Sequence, residues 1–561
     1  MTGTTPWVSN YLHPAKWEQS FPPLSVHDMF FQSAQRMGKA ALADFMGRKY
    51  SYADVEVAVR KFARGLQLRG IGKGDHIGLF LPNVPHYIIA YYGAMLAGAT
   101  VVNFSPLYTV DELSHQVADS GTSILVTVSA AALLPTALKV LDNSELGHLI
   151  VGSVAEALPR LKGWAYRLFK KAEIAAIPAD PRITLFAEVV GNDGAVMPVP
   201  CDPESDVAQL QYTGGTTGTP KGAMLTHQNI SANARQINLI DPHSRANQPE
   251  NPAEDRILGV LPFFHVFANA TVLNRTICNG GEIVMLPRFE AAAALKAVNR
   301  TRVTAMPGVP TMYQALLDNA ELPNTDFSSL RACISGGAPL AAELKARFEG
   351  VAHAAVIEGY GLTESSGVIS CNPYEGTSKL GSIGQPIPGT LVRLADKEDA
   401  SKPAPAGQPG ELLAKGPQIM AGYWNKPEAT AEVFVDGWLR TGDVATIDED
   451  GFIFIVDRLK DMIAVGGFKV FPSQVEDILY QHPAVKEALV IGVPDPYSGE
   501  RPKAYVTLGE GQAVTGEELA NWLNPQLGKH ERVLGVVVRD TLPKTMIGKL
   551  DRKALRAEEG V

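Results

Sequence analysis

The stretch Tyr212-Thr213-Gly214-Gly215-Thr216-Thr217-Gly218-Thr219-Pro220-Lys221-Gly222 holds four glycines, four threonines and one lysine in eleven residues. Glycines let backbone N–H groups turn toward an anion with no Cβ in the way. Threonine hydroxyls add donors and the lysine adds a point charge, so the stretch is suited to holding a polyphosphate. A loop of this composition is costly in conformational entropy unless a ligand orders it, which weighs against a plain flexible linker. It is not a Walker loop. That pattern needs Gly-Lys followed by Ser or Thr, and Lys221 stands between Pro220 and Gly222.

Other residues with chemical potential are spread along the chain. His265 lies in Leu261-Pro262-Phe263-Phe264-His265-Val266-Phe267, just after a predicted strand. A histidine among aromatics fits a core position, and a strand end in an α/β protein equally fits a ligand site. Further on come Gly336-Gly337-Ala338-Pro339, then Glu358-Gly359-Tyr360-Gly361-Leu362-Thr363-Glu364, Arg440-Thr441-Gly442-Asp443, Asp457-Arg458-Leu459-Lys460 and Gly548-Lys549.

The elements that must position these groups read as α/β layers. Ser51 caps a helix over 52–68, with apolar residues at helical spacing. A strand at 76–81, a helix at 85–96 and a strand at 100–104 follow. Next come a short helix at 111–119, a strand at 124–128, a helix at 130–141 and a strand at 148–151. That alternation predicts a largely parallel sheet. Strands end at both the glycine–threonine loop and His265. From 381 to 456 the texture changes to glycines, prolines and short alternating strands, near 391–394, 410–414 and 452–456, which reads as a small β-rich subdomain.

The charged run Asp457 to Asp461 is the best boundary, placing one domain at 1–457 and a second at 458–561. In the second, Ser473 with Glu476 three residues on predicts a helix cap. Strands are expected at 489–493, 503–508 and 533–538, and Thr515 begins another helix. The fold class expected is therefore α/β: a large N-terminal domain of layered subdomains plus a β-rich subdomain, and a small, mobile α+β C-terminal domain.

A chain of 561 residues exceeds one ordinary core. Its formal net charge of −9 argues against general nucleic-acid binding. Four cysteines without paired spacing fit a reducing cytosol and show no metal pattern. The segment 77–110 lacks Asp, Glu, Lys and Arg, but Pro82, Asn83, Pro85 and Asn103 break it, so it reads as buried rather than membrane-spanning. No signal-peptide core is visible over 1–19. The segment 159–171 places Leu161, Trp164, Ala165, Leu168 and Phe169 on one helical face, with Arg160, Arg167, Lys170 and Lys171 on the other. Such a helix fits an anionic membrane surface or an ordinary packed surface, and Gly163 and Pro159 weaken it.

Taken in order, Met95-Leu96-Ala97-Gly98-Ala99, the glycine–threonine loop and the motifs at 360–364, 440–443, 457–460 and 548–549 make residues 50–552 resemble the acyl-adenylate-forming superfamily. Bacterial long-chain fatty acid–CoA ligases are the most similar branch. The resemblance implies a two-step reaction: a carboxylate attacks the α-phosphate of ATP to give acyl-AMP and pyrophosphate, then coenzyme A displaces AMP. It implies that Thr213, Gly214, Gly215, Thr216, Thr217 and Lys221 hold the phosphates, and that Glu364, with Thr213 as a second ligand, holds Mg²⁺. Gly336, Gly337, Ala338, Glu358, Gly359 and Tyr360 would line the adenine, with Thr363 beside them. Asp443 would accept from the ribose hydroxyls, Arg458 would sit next to the nucleotide, and Lys549, with His265 and Glu364, would carry the chemistry. The small domain is expected to turn about Lys460 between steps. That turn withdraws Lys549 and brings Gly466 and Gly467 to line the coenzyme A tunnel.

The stretch 261–267 lacks the aspartate that amino-acid-activating members use, which points to an acid without an amine. Some long-chain members place a tryptophan gate four residues after the histidine; here that residue is Asn269. A medium- to long-chain fatty acid is the expected substrate, with a dicarboxylic or aromatic acid, luciferase-type oxidation and a non-catalytic lipid-binding role as alternatives. The expected location is cytoplasmic, with peripheral membrane contact through 159–171.

Overall fold

A computed structural model describes residues 6–213, 220–466, 468–545 and 548–561. Two large sheets dominate. In the first, Val207–Tyr212, Thr100–Asn103, His76–Leu79, Ile124–Val128, His148–Gly152 and Ile183–Leu185 run parallel in that spatial order. Gly222–Thr226 and Gly422–Tyr423 close its edge antiparallel. In the second, Ala355–Tyr360, Ala332–Gly336, Ala305–Gly308, Arg256–Gly259, Glu282–Met285 and Ala41–Phe45 run parallel. Parallel strands covered by helices on both faces explain their nearly continuous apolar sequences.

The helix predicted at 85–96 is Pro85–Leu96, buried along all but its last residue. Proline opens it where no intrahelical N–H is needed. Its tyrosines tie the two sheets together. The Tyr87 hydroxyl has two acceptors for its one proton, Asn103 Oδ1 at 2.7 Å and Phe263 O at 2.9 Å, and Tyr92 donates to Asn274 Oδ1 at 2.8 Å. A hydroxyl in such a core must find an acceptor or cost more than the ring's burial gains. The helix Tyr52–Gln67 opens as expected, with Ser51 and Asp54 forming a capping box.

The β-rich subdomain is an antiparallel sheet of Leu391–Ala395, Gly410–Lys415, Phe434–Val435, Trp438–Ile447 and Ile453–Arg458. Trp7, from near the N-terminus, is buried in its core. Beyond Arg458 the one-turn helix Leu459–Asp461 leads into a further sheet, whose main hairpin is Val485–Asp495 with Gly499–Leu508. The apolar clusters there contain only residues from Ile463 onward.

Two local expectations are corrected. Ser473 does not cap its helix: Pro472–Leu479 begins after Phe471 with no side-chain cap, and Asp457 Oδ2 accepts from Ser473 N at 2.9 Å. Glu476 instead accepts from Val490 N at 2.6 Å and pairs with Arg552. The weakness assigned to Gly163 is outweighed, because a Cβ there would stand 2.3 Å from Ala155 O. Glycine lets the helix Arg160–Phe169 lie directly on the chain at Ala155, and Gly163 is its only buried residue.

Candidate active site

The parallel strands of the second sheet deliver their carboxyl ends to one cavity of about 3130 Å³. His265 follows Arg256–Gly259, Gly337 follows Ala332–Gly336, and Glu364 lies in the turn after Ala355–Tyr360. This is the strand edge at which α/β sheets bind ligands. Gly336 lies opposite Gly359 in register, so no side chain stands between the two backbones.

The glycine–threonine loop joins two strands as a hairpin, with Tyr212 opposite Gly222 and Thr213 N donating to Lys221 O at 2.9 Å. Thr213 and Lys221 line the cavity. Gly214, Gly215, Thr216 and Thr217 lie outside the described residues, as does Gly467.

Lys549 comes from the far end of the chain. A tight turn holds it: Thr545 N donates to Lys549 O at 2.7 Å, Lys549 N donates to Thr545 Oγ1 at 3.2 Å, and Gly548 takes φ +81°. The side chain enters the cavity and lies over Gly337, whose own φ is +82°. Burial lowers its ammonium to about 8, Arg458 adds to the shift and Asp443 opposes it. His265 is lowered to about 3 by burial, then by the Lys549 charge, so it is neutral at physiological pH. Its Nδ1 accepts from Phe267 N at 3.3 Å, which leaves the proton on Nε2.

Asp443 sits opposite Arg458 in the antiparallel pair, and its Oδ1 lies 3.2 Å from Arg458 Nε. Tyr360 donates its hydroxyl to the other carboxylate oxygen. Burial raises the Asp443 carboxyl, with Arg458 and Tyr360 opposing. Glu358 is raised to about 7 by burial, with Lys345 opposing from 3.7 Å. That pair is made by Oε1, which has no closer hydrogen bond, and Glu358 lines the cavity. Ala338 and Thr363 line the same cavity.

Glu364 Oε1 accepts from Tyr423 at 2.6 Å. Among the described residues no cluster of three or more His, Cys, Asp or Glu could hold a metal. One carboxylate that shares Tyr423 with the Lys221 ammonium fits Mg²⁺, which takes one or two carboxylates and completes its shell with phosphate oxygens and water.

One arm of the cavity is apolar. Ala332, Ile334 and Gly336 alternate onto the sheet face that looks toward the helix His227–Ile240. Ile237, Ile240, Val368 and Tyr374 join Ala332 and Ile334 in one apolar cluster that lines the cavity, with Asp241 and Arg275 in the same lining. From Gly336 to Ala332 the strand advances ~13 Å. Asn269 is buried with its Oδ1 accepting from Tyr91 at 3.2 Å and from Asn274 at 2.9 Å, so the gate position joins a polar network.

Lys460 lines the cavity from the one-turn helix Leu459–Asp461. Gly466 does not line it, and its N–H donates to Ser498 O at 2.8 Å, so of the described coenzyme A candidates only Lys460 lines the cavity.

Family models match at residues 30–424 (AMP-binding enzyme) and 474–549 (AMP-binding enzyme C-terminal domain). The chain belongs to the AMP-binding enzyme family. The long-chain-fatty-acid–CoA ligase of Bacillus subtilis is 39% identical to this family member over 564 residues, covering 100% of this chain and 99% of the relative. A feruloyl-CoA synthase of an Amycolatopsis species is 37% identical, over 92% and 95% of the two chains. Among solved structures, ATP-bound MatB from Rhodopseudomonas palustris is similar at a TM-score of 0.82, with 27% identity over 95% of this chain and 99% of that one. Apo MatB gives 0.72. The overall shape of this family member is thus nearer to the ATP-bound relative, in keeping with Lys549 inside the cavity.

The strand-like segment 420–424 was not singled out in the sequence, although it brings Tyr423 to the site. A lone Gly-Tyr-Trp is its only local signal.

Proposed function

We propose that this protein is an ATP-dependent acyl-CoA ligase acting on a medium- to long-chain fatty acid through acyl-AMP. The observation that carries the reading is Lys549, supplied from the last residues of the chain, lying over Gly337 where the second sheet presents its strand ends. The family membership and the apolar arm support it.

In the first step a carboxylate oxygen attacks the α-phosphorus and the bond to the pyrophosphate oxygen breaks, its electrons leaving with pyrophosphate. Lys549 places its charge where the carboxylate and α-phosphate meet, an electrostatic role suited to a water-poor cavity. Neutral His265 offers Nε2–H to the carboxylate without repelling Lys549. Thr213, Lys221 and the loop residues Gly214, Gly215, Thr216 and Thr217 hold the phosphates. Glu364, with Thr213, would hold Mg²⁺, which would supply positive charge to the phosphate oxygens. Gly336 to Ala338 and Glu358 to Tyr360 receive the adenine. Asp443 exchanges the Tyr360 hydroxyl for those of the ribose, with Arg458 beside it. The fatty tail occupies the arm between Ala332 and Ile240.

In the second step the thiol sulfur of coenzyme A attacks the acyl carbon, the bond to AMP breaks and the thiol proton is released. We infer that residues 458–561 turn as a unit about Lys460 between the steps, bringing Gly466 and Gly467 to the thiol path. The separate apolar clusters beyond Ile463 support a unit that keeps its own core when it moves.

We also infer peripheral contact with an anionic membrane surface. Among the described residues no helix is long and apolar enough to cross a membrane. Yet Leu161 (84% exposed), Trp164 (65%), Leu168 (45%) and Phe169 (76%) stand in solvent on one helix, beside exposed Arg160, Arg167, Lys170 and Lys171. An apolar face turned outward and flanked by cations fits such a surface.

Pyrophosphate release over a panel of acids, with and without coenzyme A, tests the activity. The reading expects release with long-chain acids and thioester only when coenzyme A is present. Preference for a cinnamate-type acid, as the feruloyl-CoA synthase relative suggests, would replace the fatty acid but keep the chemistry.

A further inference from the structure

The segment from Met420 to Trp424 is woven into both halves of the phosphate side of the cavity. Met420 N donates to Glu364 O at 2.8 Å, Ala421 N to Met224 O at 3.0 Å and Trp424 N to Gly222 O at 2.8 Å. Tyr423 lies opposite Ala223 in the antiparallel ladder, two residues beyond Lys221. Gly422 takes φ +142° and a Cβ there would stand 2.8 Å from Thr430 Cγ2, while Thr430 Oγ1 accepts from Tyr423 N at 2.8 Å. The backbone around Tyr423 is therefore fixed on both sides.

The Tyr423 side chain does two things at once. Its hydroxyl donates to Glu364 Oε1 at 2.6 Å, and its ring carries Lys221 Nζ 5.2 Å from the ring centroid. A cation at that distance is attracted by the ring face. The bond ties the Glu364 carboxylate to a ring whose backbone is itself held.

We propose that Tyr423 is the positioning residue that sets the spacing between the metal-holding carboxylate of Glu364 and the phosphate-binding ammonium of Lys221. The proposal rests on the adenylating function described above. Without the hydroxyl, Glu364 is free to rotate and to accept other donors. Without the ring, Lys221 loses its support.

The test uses the full-length protein, wild type and Tyr423→Phe, with Mn²⁺ as a spectroscopic probe and a non-hydrolysable ATP analogue. The phenylalanine keeps the ring beneath Lys221 and removes only the hydroxyl. Free Mn²⁺ measured by electron paramagnetic resonance is expected to show ~10-fold weaker ternary binding in the variant, the scale of one lost hydrogen bond to a charged group. Binding of the analogue without metal is expected to stay unchanged. Adenylation by the variant should recover when Mg²⁺ is raised, and the KM for the acid should not move. In Tyr423→Leu, metal-free binding of the analogue should weaken as well. Glu364→Gln combined with Tyr423→Phe should bind Mn²⁺ no worse than Glu364→Gln alone. Unchanged Mn²⁺ binding in Tyr423→Phe, or equal losses in both backgrounds, overturns the positioning role and leaves the ligase reading standing. Failure of wild type to bind Mn²⁺ with the analogue overturns both.

Discussion

Gly337 and Lys549 lie against each other: a Cβ on Gly337 would lie 2.7 Å from Cε and 2.9 Å from Nζ of the lysine. The glycine's φ of +82° is also one that other residues adopt only under strain. Gly337→Ala is therefore expected to displace Lys549 and slow acyl-AMP formation. Conversion of supplied acyl-AMP to thioester should be spared, because that step does not use the lysine. Single-turnover assays of the two half-reactions check this; equal slowing of both contradicts it.

The pH profile follows from the same contact. Lys549 is charged below about 8 and loses its proton as pH rises through that value, since burial lowers it from the ordinary lysine range. Adenylation should accordingly decline above about pH 8, while the thioester half-reaction shows no such limb. In Lys549→Arg the limb should disappear, because guanidinium stays charged throughout. A wild-type adenylation rate that keeps rising to pH 10 contradicts the assignment.

Lys460 is the second residue of the one-turn helix Leu459–Asp461. The first N–H groups of a helix have no intrahelical partner, so proline is tolerated there in this orientation. Lys460→Pro should leave adenylation largely intact but block the rotation, and thioester formation should fail. Parallel slowing of both steps in stopped-flow traces would remove Lys460 as the pivot.

The helix Arg160–Phe169 should bind anionic vesicles in a salt-sensitive way. Each basic residue near such a surface contributes roughly 1 kcal/mol. Replacing Lys170 and Lys171 together by Glu should release the protein from vesicles and leave turnover of a short, soluble acid unchanged. Trp164→Ser should weaken binding through lost insertion. Co-sedimentation at low and high salt reads the effect, and wild type remaining in the supernatant at low salt contradicts it.

Much of this was legible in the residues. Pro85–Leu96 and Ile124–Val128 coincide with their expected bounds, because a proline start and a fully buried run of four apolar residues and Thr127 leave little choice. The motifs at 360–364, 440–443, 457–460 and 548–549 line one cavity with Thr213 and Lys221, whereas Met95–Ala99 does not line it. What stayed hidden depends on partners far away in sequence. Ser473 looked like a cap, but the chain before it is held by Asp457 instead. Gly163 looked like a weakness because its neighbour Ala155 cannot be seen from helical periodicity. Tyr423 carried no motif, and its role comes from Glu364 and Lys221, 59 residues away in the first case. The strand Trp438–Ile447 was missed because its Gly442 and Thr441 break the alternation that marks a strand, although they place Asp443 opposite Arg458.

The central claim is that Lys549 acts in the first step alone. The most direct measurement compares Lys549→Ala with wild type in separate half-reactions: pyrophosphate release from ATP and a long-chain acid, and thioester formation from supplied acyl-AMP and coenzyme A. The expected result is a loss of ~10²–10³-fold in the first, the scale of one charge-stabilising donor removed from a closed site. The second should stay near wild type. Equal losses in both half-reactions, or full adenylation without the lysine, would contradict the account.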